Sequence, residues 1–168
     1  MEKTKITEDI ISFDLPKYNE IPNVGLYLEQ TAKYISEYLE PLQQSALTGS
    51  MISNYVKKGL VSNPVKKQYD REQIAYLIFI AIAKSVISIE DIKLTIEIQK
   101  KTYSSETAYN YFASELKNII NFVFGNSTEL QEIGKDSNEQ KNMLRNIIIT
   151  VAHKVYLEKL FKQLQQEI

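Results

Sequence analysis

Apolar residues recur at three- and four-residue spacing through most of this chain, which predicts a mainly α protein. The first clear run is Leu28, Ala32, Ile35 and Leu39, broadened by Tyr27, Tyr34 and Tyr38. With Asn23 as an N-cap and Pro41 as a stop, it predicts a helix over 24–40. Residues 1–22 show no sustained helical period, and Pro16 and Pro22 each push the preceding residue toward extended geometry. An N-terminal arm is expected there, with Phe13, Leu15, Tyr18 and Ile21 packing back onto the domain. A short second helix is expected from a cap at Thr48 or Ser50 to about Lys58, closed by a left-handed turn at Gly59. Asp70 and Gln73 then form a capping-box pair. They open a helix whose Ile74, Leu77, Ile78, Ala81 and Ile82 are joined by Phe79 and Ile80 until it is apolar nearly all round. Such a helix belongs at the centre of a domain.

Ser88 and Asp91 give a cap-like start to a further helix facing inward through Ile89, Ile92 and Ile96. After a polar break at 99–103, Ser104 or Ser105 starts a long helix through Phe124, with Gly125 and Asn126 as its stop. An acidic loop is expected over 126–136 and a capping box at Ser137 and Gln140. The last helix, expected over 138–166, has an apolar face too wide for a lone exposed helix. It should pack on the preceding helix and on a second copy of the chain. The expected organisation is an arm over 1–22, a domain over 23–99, and a helical dimerisation or effector region over 100–168.

Charge changes this picture more than composition does. The chain has 168 residues, 43% of them hydrophobic, and a net charge of −1, which fits an ordinary globular protein rather than a nucleic-acid coat. Yet residues 48–71 hold Lys57, Lys58, Lys66, Lys67 and Arg71 against the single acid Asp70, whereas 1–47 hold four lysines against eight acids. Positive charge is focused on one stretch, as a phosphate-binding footprint requires. Within that stretch Ile52, Tyr55 and Val56 share one side of the short helix, and Ser50, Ser53, Asn54 and Lys57 share the other. Short donors and acceptors on an exposed helix suit base edges in a major groove, and they also suit plain solvation. The segment LVSNPVKKQY, with its turn signal at Asn63-Pro64, reads either as a small basic wing or as an exposed loop.

MISNYVKKGLV resembles the recognition helix of MerR-type regulators, usually Leu-Arg-Tyr-Tyr-x-x-x-Gly-Leu. Ile52 stands at the Leu position, Tyr55 at the second Tyr and Gly59-Leu60 at the closing pair, while Ser53 and Asn54 replace the Arg and first Tyr. QYDREQIAYLIFI and the Ser88, Ile89 and Ile92 positions follow the same family's next two helices. More closely, LPKYNEIP, ISNYVKKGLV and YDREQIAYLIFI resemble the bacterial proteins grouped as domain-of-unknown-function family 1836, over about Phe13 to Tyr111. The fold this implies is a MerR-like winged helix-turn-helix with a short β wing, followed by two long C-terminal helices. The resemblance implies a dimeric DNA-binding transcriptional regulator that takes double-stranded DNA as its partner. Tyr55, Lys66 or Lys67, and Tyr69 would touch or brace the DNA backbone. Base readout would fall to Ser50, Ser53 and Asn54, with Lys57, Lys58 and Arg71 adding charge. An unidentified small-molecule effector is left open. The alternative is a helical protein-interaction or ligand-binding module that keeps the fold without specific DNA binding.

Other chemistry has little footing. There is no cysteine and one histidine, His153, so no thiolate metal site or Cys-His pair can form, and no metal or cofactor is expected. No phosphate loop, dinucleotide fingerprint or nucleophile elbow occurs, and an enzyme is not expected. The N-terminal MEKTKITEDIISFDL offers no apolar run of signal-peptide length, and the strongest apolar window, 74–82, falls well short of the ~20 residues that span a bilayer. A cytoplasmic protein with no membrane partner is expected.

Overall fold

The computed structural model describes residues 3–42, 44–128 and 138–168. It is mainly helical, with helices α1 (Lys3–Ile11), α2 (Leu28–Leu39), α3 (Gly49–Lys57), α4 (Arg71–Ala83), α5 (Ile89–Lys100), α6 (Ser105–Val123) and α7 (Glu139–Glu167). Two short strands, β1 (Leu26–Tyr27) and β2 (Gln68–Tyr69), pair antiparallel with Leu26 opposite Tyr69 and Tyr27 opposite Gln68.

Local cap chemistry sets most helix starts. The Thr48 hydroxyl accepts from Met51 N–H at the head of α3, Ser88 does the same from Asp91 for α5, and Ser104 from Thr107 for α6. At α4 the reciprocal box forms as expected, with Gln73 N–H donating to Asp70 at 2.9 Å and Asp70 N–H to Gln73 Oε1 at 2.8 Å. Ser137 lies outside the described residues, as does most of the acidic 126–136 stretch, and Asn138 caps α7 by accepting from Lys141 N–H.

The beginning of the chain differs from the expectation in two ways. Residues 3–11 form a helix where no sustained helical period was expected, and Ile6 and Ile10 bury a narrow apolar edge in the core. The arm beyond it does fold back, with Phe13, Leu15 and Ile21 buried. The second difference is that α2 starts at Leu28 and not at Val24, because Gly25 turns the chain at φ +81° and Leu26–Tyr27 are claimed by the strand pairing. Asn23 caps nothing in α2; its Oδ1 accepts from Arg71 N–H instead.

The core centres on α4, where Ile74, Leu77, Ile78, Ile80 and Ile82 have no exposed surface. Its all-round apolar character is explained by its neighbours, for it packs against α2 on one side and α6 and α7 on the other. Burial at this level is worth roughly 1.5–3 kcal/mol per large aliphatic side chain. Polar links also tie the N-terminal arm to α6. Tyr109 donates to Pro16 O at 2.7 Å, Tyr18 N–H to Asn110 at 3.0 Å, and Lys117 pairs with Asp14 at 2.9 Å.

Candidate nucleic-acid interface

The short helix α3 is pinned at both ends. At its start Gly49 is buried where the helix crosses the beginning of α2, and a Cβ there would lie 3.2 Å from a Leu28 methyl group. At its end Gly59 takes φ +79°, while Gly59 N–H donates to Val56 O and Leu60 N–H to Tyr55 O. These bonds satisfy carbonyls that the helix would otherwise leave open. Ile52 and Tyr55 face the core, and Ser50, Ser53, Asn54, Lys57 and Lys58 are exposed. The sequence therefore assigned the two faces of this helix correctly.

The basic segment after α3, expected to be a wing or an exposed loop, is a hairpin whose geometry is unusual. Val65 and Gln68 exchange backbone hydrogen bonds of 3.2 and 2.9 Å, which leaves Lys66 and Lys67 as a two-residue loop. Both lysines sit at positive φ, 52° and 64°, and both are exposed. Two positive φ values are the mark of a type I′ turn, which strongly favours Asn-Gly or Gly-Gly. Placing side chains there costs backbone energy that neighbouring structure must offset. Much of that support comes from Gln73, whose Nε2 donates to Ser62 O and Asn63 O at 3.0 Å each. The expected turn at Asn63-Pro64 is thus an anchored approach to the hairpin, and the tip lies two residues further on.

Three expected contact residues are placed elsewhere. Tyr55 and Tyr69 are each only 4% exposed, and burial pushes both phenols up from their ordinary pKa. Their rings brace the scaffold from inside, leaving no ring surface to lie along a backbone. Arg71 is engaged within the protein. Its Nε donates to Ile21 O at 2.8 Å and an Nη to Asn19 O at 3.0 Å, and its guanidinium lies 5.9 Å from the Tyr18 ring centre. It clamps the N-terminal arm onto the head of α4 and is not a free phosphate ligand.

Two lysines outside the expected stretch come close to α3. Lys93, exposed on α5, brings its ammonium to within 3.4 Å of where a Gly59 Cβ would stand. A cation at that end suits the negative pole of the helix. Lys84, half-buried at the end of α4, reaches Met51 Sδ at 3.7 Å, and desolvation lowers its pKa. Neither was legible locally, since helix packing alone carries α5 and the end of α4 to α3. Among the described residues no cluster of three or more His, Cys, Asp or Glu side chains could hold a metal, and no helix is long and apolar enough to cross a membrane.

Residues 16–112 match the family model described as domain of unknown function (DUF1836). No curated protein and no solved structure matches the chain.

Proposed function

This chain belongs to the DUF1836 family, and we propose that it is a sequence-specific DNA-binding regulator of MerR-like winged helix-turn-helix form, acting in the cytoplasm. The observation that carries this reading is the pair of adjacent lysines held at positive φ on an exposed hairpin tip. A fold gains nothing from two strained, solvated lysines there, whereas a phosphate backbone gains two cations at fixed positions. The exposed Ser50, Ser53, Asn54 and Lys57 face of α3 supplies the reading surface, with Asn54 suited to pair bidentately with adenine. Lys58 and Lys93 extend the positive charge around the end of that helix. Tyr55, Tyr69 and Arg71 act as scaffold.

We also propose a homodimer through the last turns of α7. Leu157, Phe161 and Leu164 are 46%, 55% and 41% exposed and fall on one side of the helix at four- and three-residue spacing. That spacing is the seam of a helix pair. Two reading helices then face two half-sites, at a separation close to a whole number of DNA turns.

Asn54→Ala tests the readout. Asn54 is exposed, so the melting temperature should stay unchanged. Affinity for a selected site should fall roughly five- to a hundredfold, with non-specific binding untouched. Equal loss on specific and random duplexes would show that Asn54 reads no base. A second reading, a helical interaction module without specific DNA binding, is favoured by the engagement of Arg71 inside the protein. It expects partner capture that Asn54→Ala leaves intact and that changes in α6 or α7 disrupt.

A further inference from the structure

Away from α3 and the hairpin, α4, α5, α6 and the start of α7 line a half-open cavity of about 330 Å³. A space of this size lies within the range of ~300–1,000 Å³ typical of small-molecule sites. Its walls are aromatic on several sides, with Tyr76 and Phe79 from α4, Tyr103 from the α5–α6 turn, and Tyr111 and Phe112 from α6. Phe79 and Phe112 meet edge to face at 5.2 Å, which sets a rigid corner.

The polar groups on the wall divide into two kinds. Tyr76, Gln99 and Ser105 already satisfy one another, since the Tyr76 hydroxyl bonds Gln99 Oε1 at 2.8 Å and Ser105 Oγ at 3.1 Å, and Ser105 continues to Glu72. Gln140 is different. Its Nε2 donates to Thr102 Oγ1 at 2.7 Å, while its Oε1 is buried with no hydrogen-bond partner among the described residues. A buried acceptor left unpaired costs about 1–3 kcal/mol, and a donor brought by a ligand would recover it. Among the described residues no carboxylate lines the cavity, and Lys141, whose ammonium lies 5.7 Å over the Tyr111 ring, is the one charged lining residue. The wall therefore favours a neutral guest over a cationic one.

We propose that this cavity is a binding site for a small, neutral, flat aromatic molecule carrying one N–H or O–H donor, which meets Gln140 Oε1. The aromatic walls supply stacking and edge contacts, and the orphan acceptor fixes the guest's orientation. The site stands independently of whether α3 reads DNA.

Indole is a direct probe, because the chain contains no tryptophan and 11 tyrosines. Energy transfer from the tyrosines that line the cavity to bound indole can be titrated on the full chain without DNA. Indole should bind saturably at one site per chain, and benzofuran, the same shape without the N–H, about fivefold more weakly in competition. Gln140→Leu should erase that difference. Ala108→Phe, which fills the cavity from α6, should abolish binding of both. Should Ala108→Phe fail to fold, the loss of discrimination in Gln140→Leu still decides the matter. No saturable indole binding to the wild-type chain would overturn the proposal, as would an indole preference that survives Gln140→Leu.

Discussion

Replacing Lys66 by Asn and Lys67 by Gly together should make the protein more stable and a much poorer DNA binder. The two lysines occupy left-handed backbone at φ 52° and 64°. Asn-Gly is the pair that a type I′ turn prefers, so the substitution relieves about 1–2 kcal/mol of strain. Thermal or urea unfolding should shift upward accordingly. DNA binding should move the other way. Two lost phosphate contacts flatten the slope of log K against log salt by about 1.8, which is roughly fiftyfold in affinity at 0.1 M salt. Lys66→Arg with Lys67→Arg keeps the charges and should keep most of the affinity. If the Asn-Gly variant gained stability with its DNA affinity unchanged, the hairpin would be only a turn.

The largest stability effect is expected at the α6–α7 interface. Glu115 has no exposed side-chain surface, and its Oε1 accepts from Arg145 Nε at 2.7 Å, while Oε2 is buried without a partner among the described residues. Burial raises the Glu115 pKa, and the charge and hydrogen bond of Arg145 pull against that rise. Arg145→Ala removes the cation that compensates this carboxylate and should cost about 3 kcal/mol near neutral pH, the lower end for a broken buried pair because Arg145 is itself 30% exposed. The sign of the pH dependence is opposite to ordinary acid unfolding. A raised folded pKa means that the folded protein holds the proton longer than the unfolded chain does, so stability falls as pH climbs from the ordinary glutamate range to the folded value. Removing Arg145 extends that window upward. The deficit of Arg145→Ala should therefore be small near pH 4 and largest near pH 7. Adding Glu115→Leu should recover most of it. Urea unfolding at the two pH values checks this, and an equal deficit at both would contradict the ionic origin.

The readable parts of the sequence were those set by neighbours along the chain. Thr48, Asp70 with Gln73, Ser88 and Ser104 announce helix starts because a cap acts on the next three residues. The two faces of α3 and the central place of α4 follow from periodicity in the same way. What escaped depends on partners far away. Strand β1 exists because Leu26 meets Tyr69 across the fold, and two residues carry no period of their own. Helix α1 shows mainly Ile6 and Ile10 to the core, too few positions to declare a stripe. Arg71 looks like any basic residue in a basic stretch until its guanidinium is seen bonded to Ile21 and Asn19, about fifty positions upstream. The hairpin tip is likewise fixed from outside. Nothing in Val-Lys-Lys-Gln asks for positive φ, and Asn63-Pro64 drew attention to the wrong turn. The register with β1 and the Gln73 anchor set it there. Phe79, read as helix packing, also proved to wall a cavity with Tyr76, Tyr103, Tyr111 and Phe112.

The most direct test of the central claim is selection of bound sequences from a random duplex pool by the full chain, followed by titration of the selected site across salt concentrations. A DNA reader built on α3 and the Lys66–Lys67 hairpin should enrich a defined motif, with half-sites about a whole number of helical turns apart, and its affinity should fall steeply as salt rises. No enrichment over the starting pool, together with no salt-dependent binding to any duplex, would contradict it.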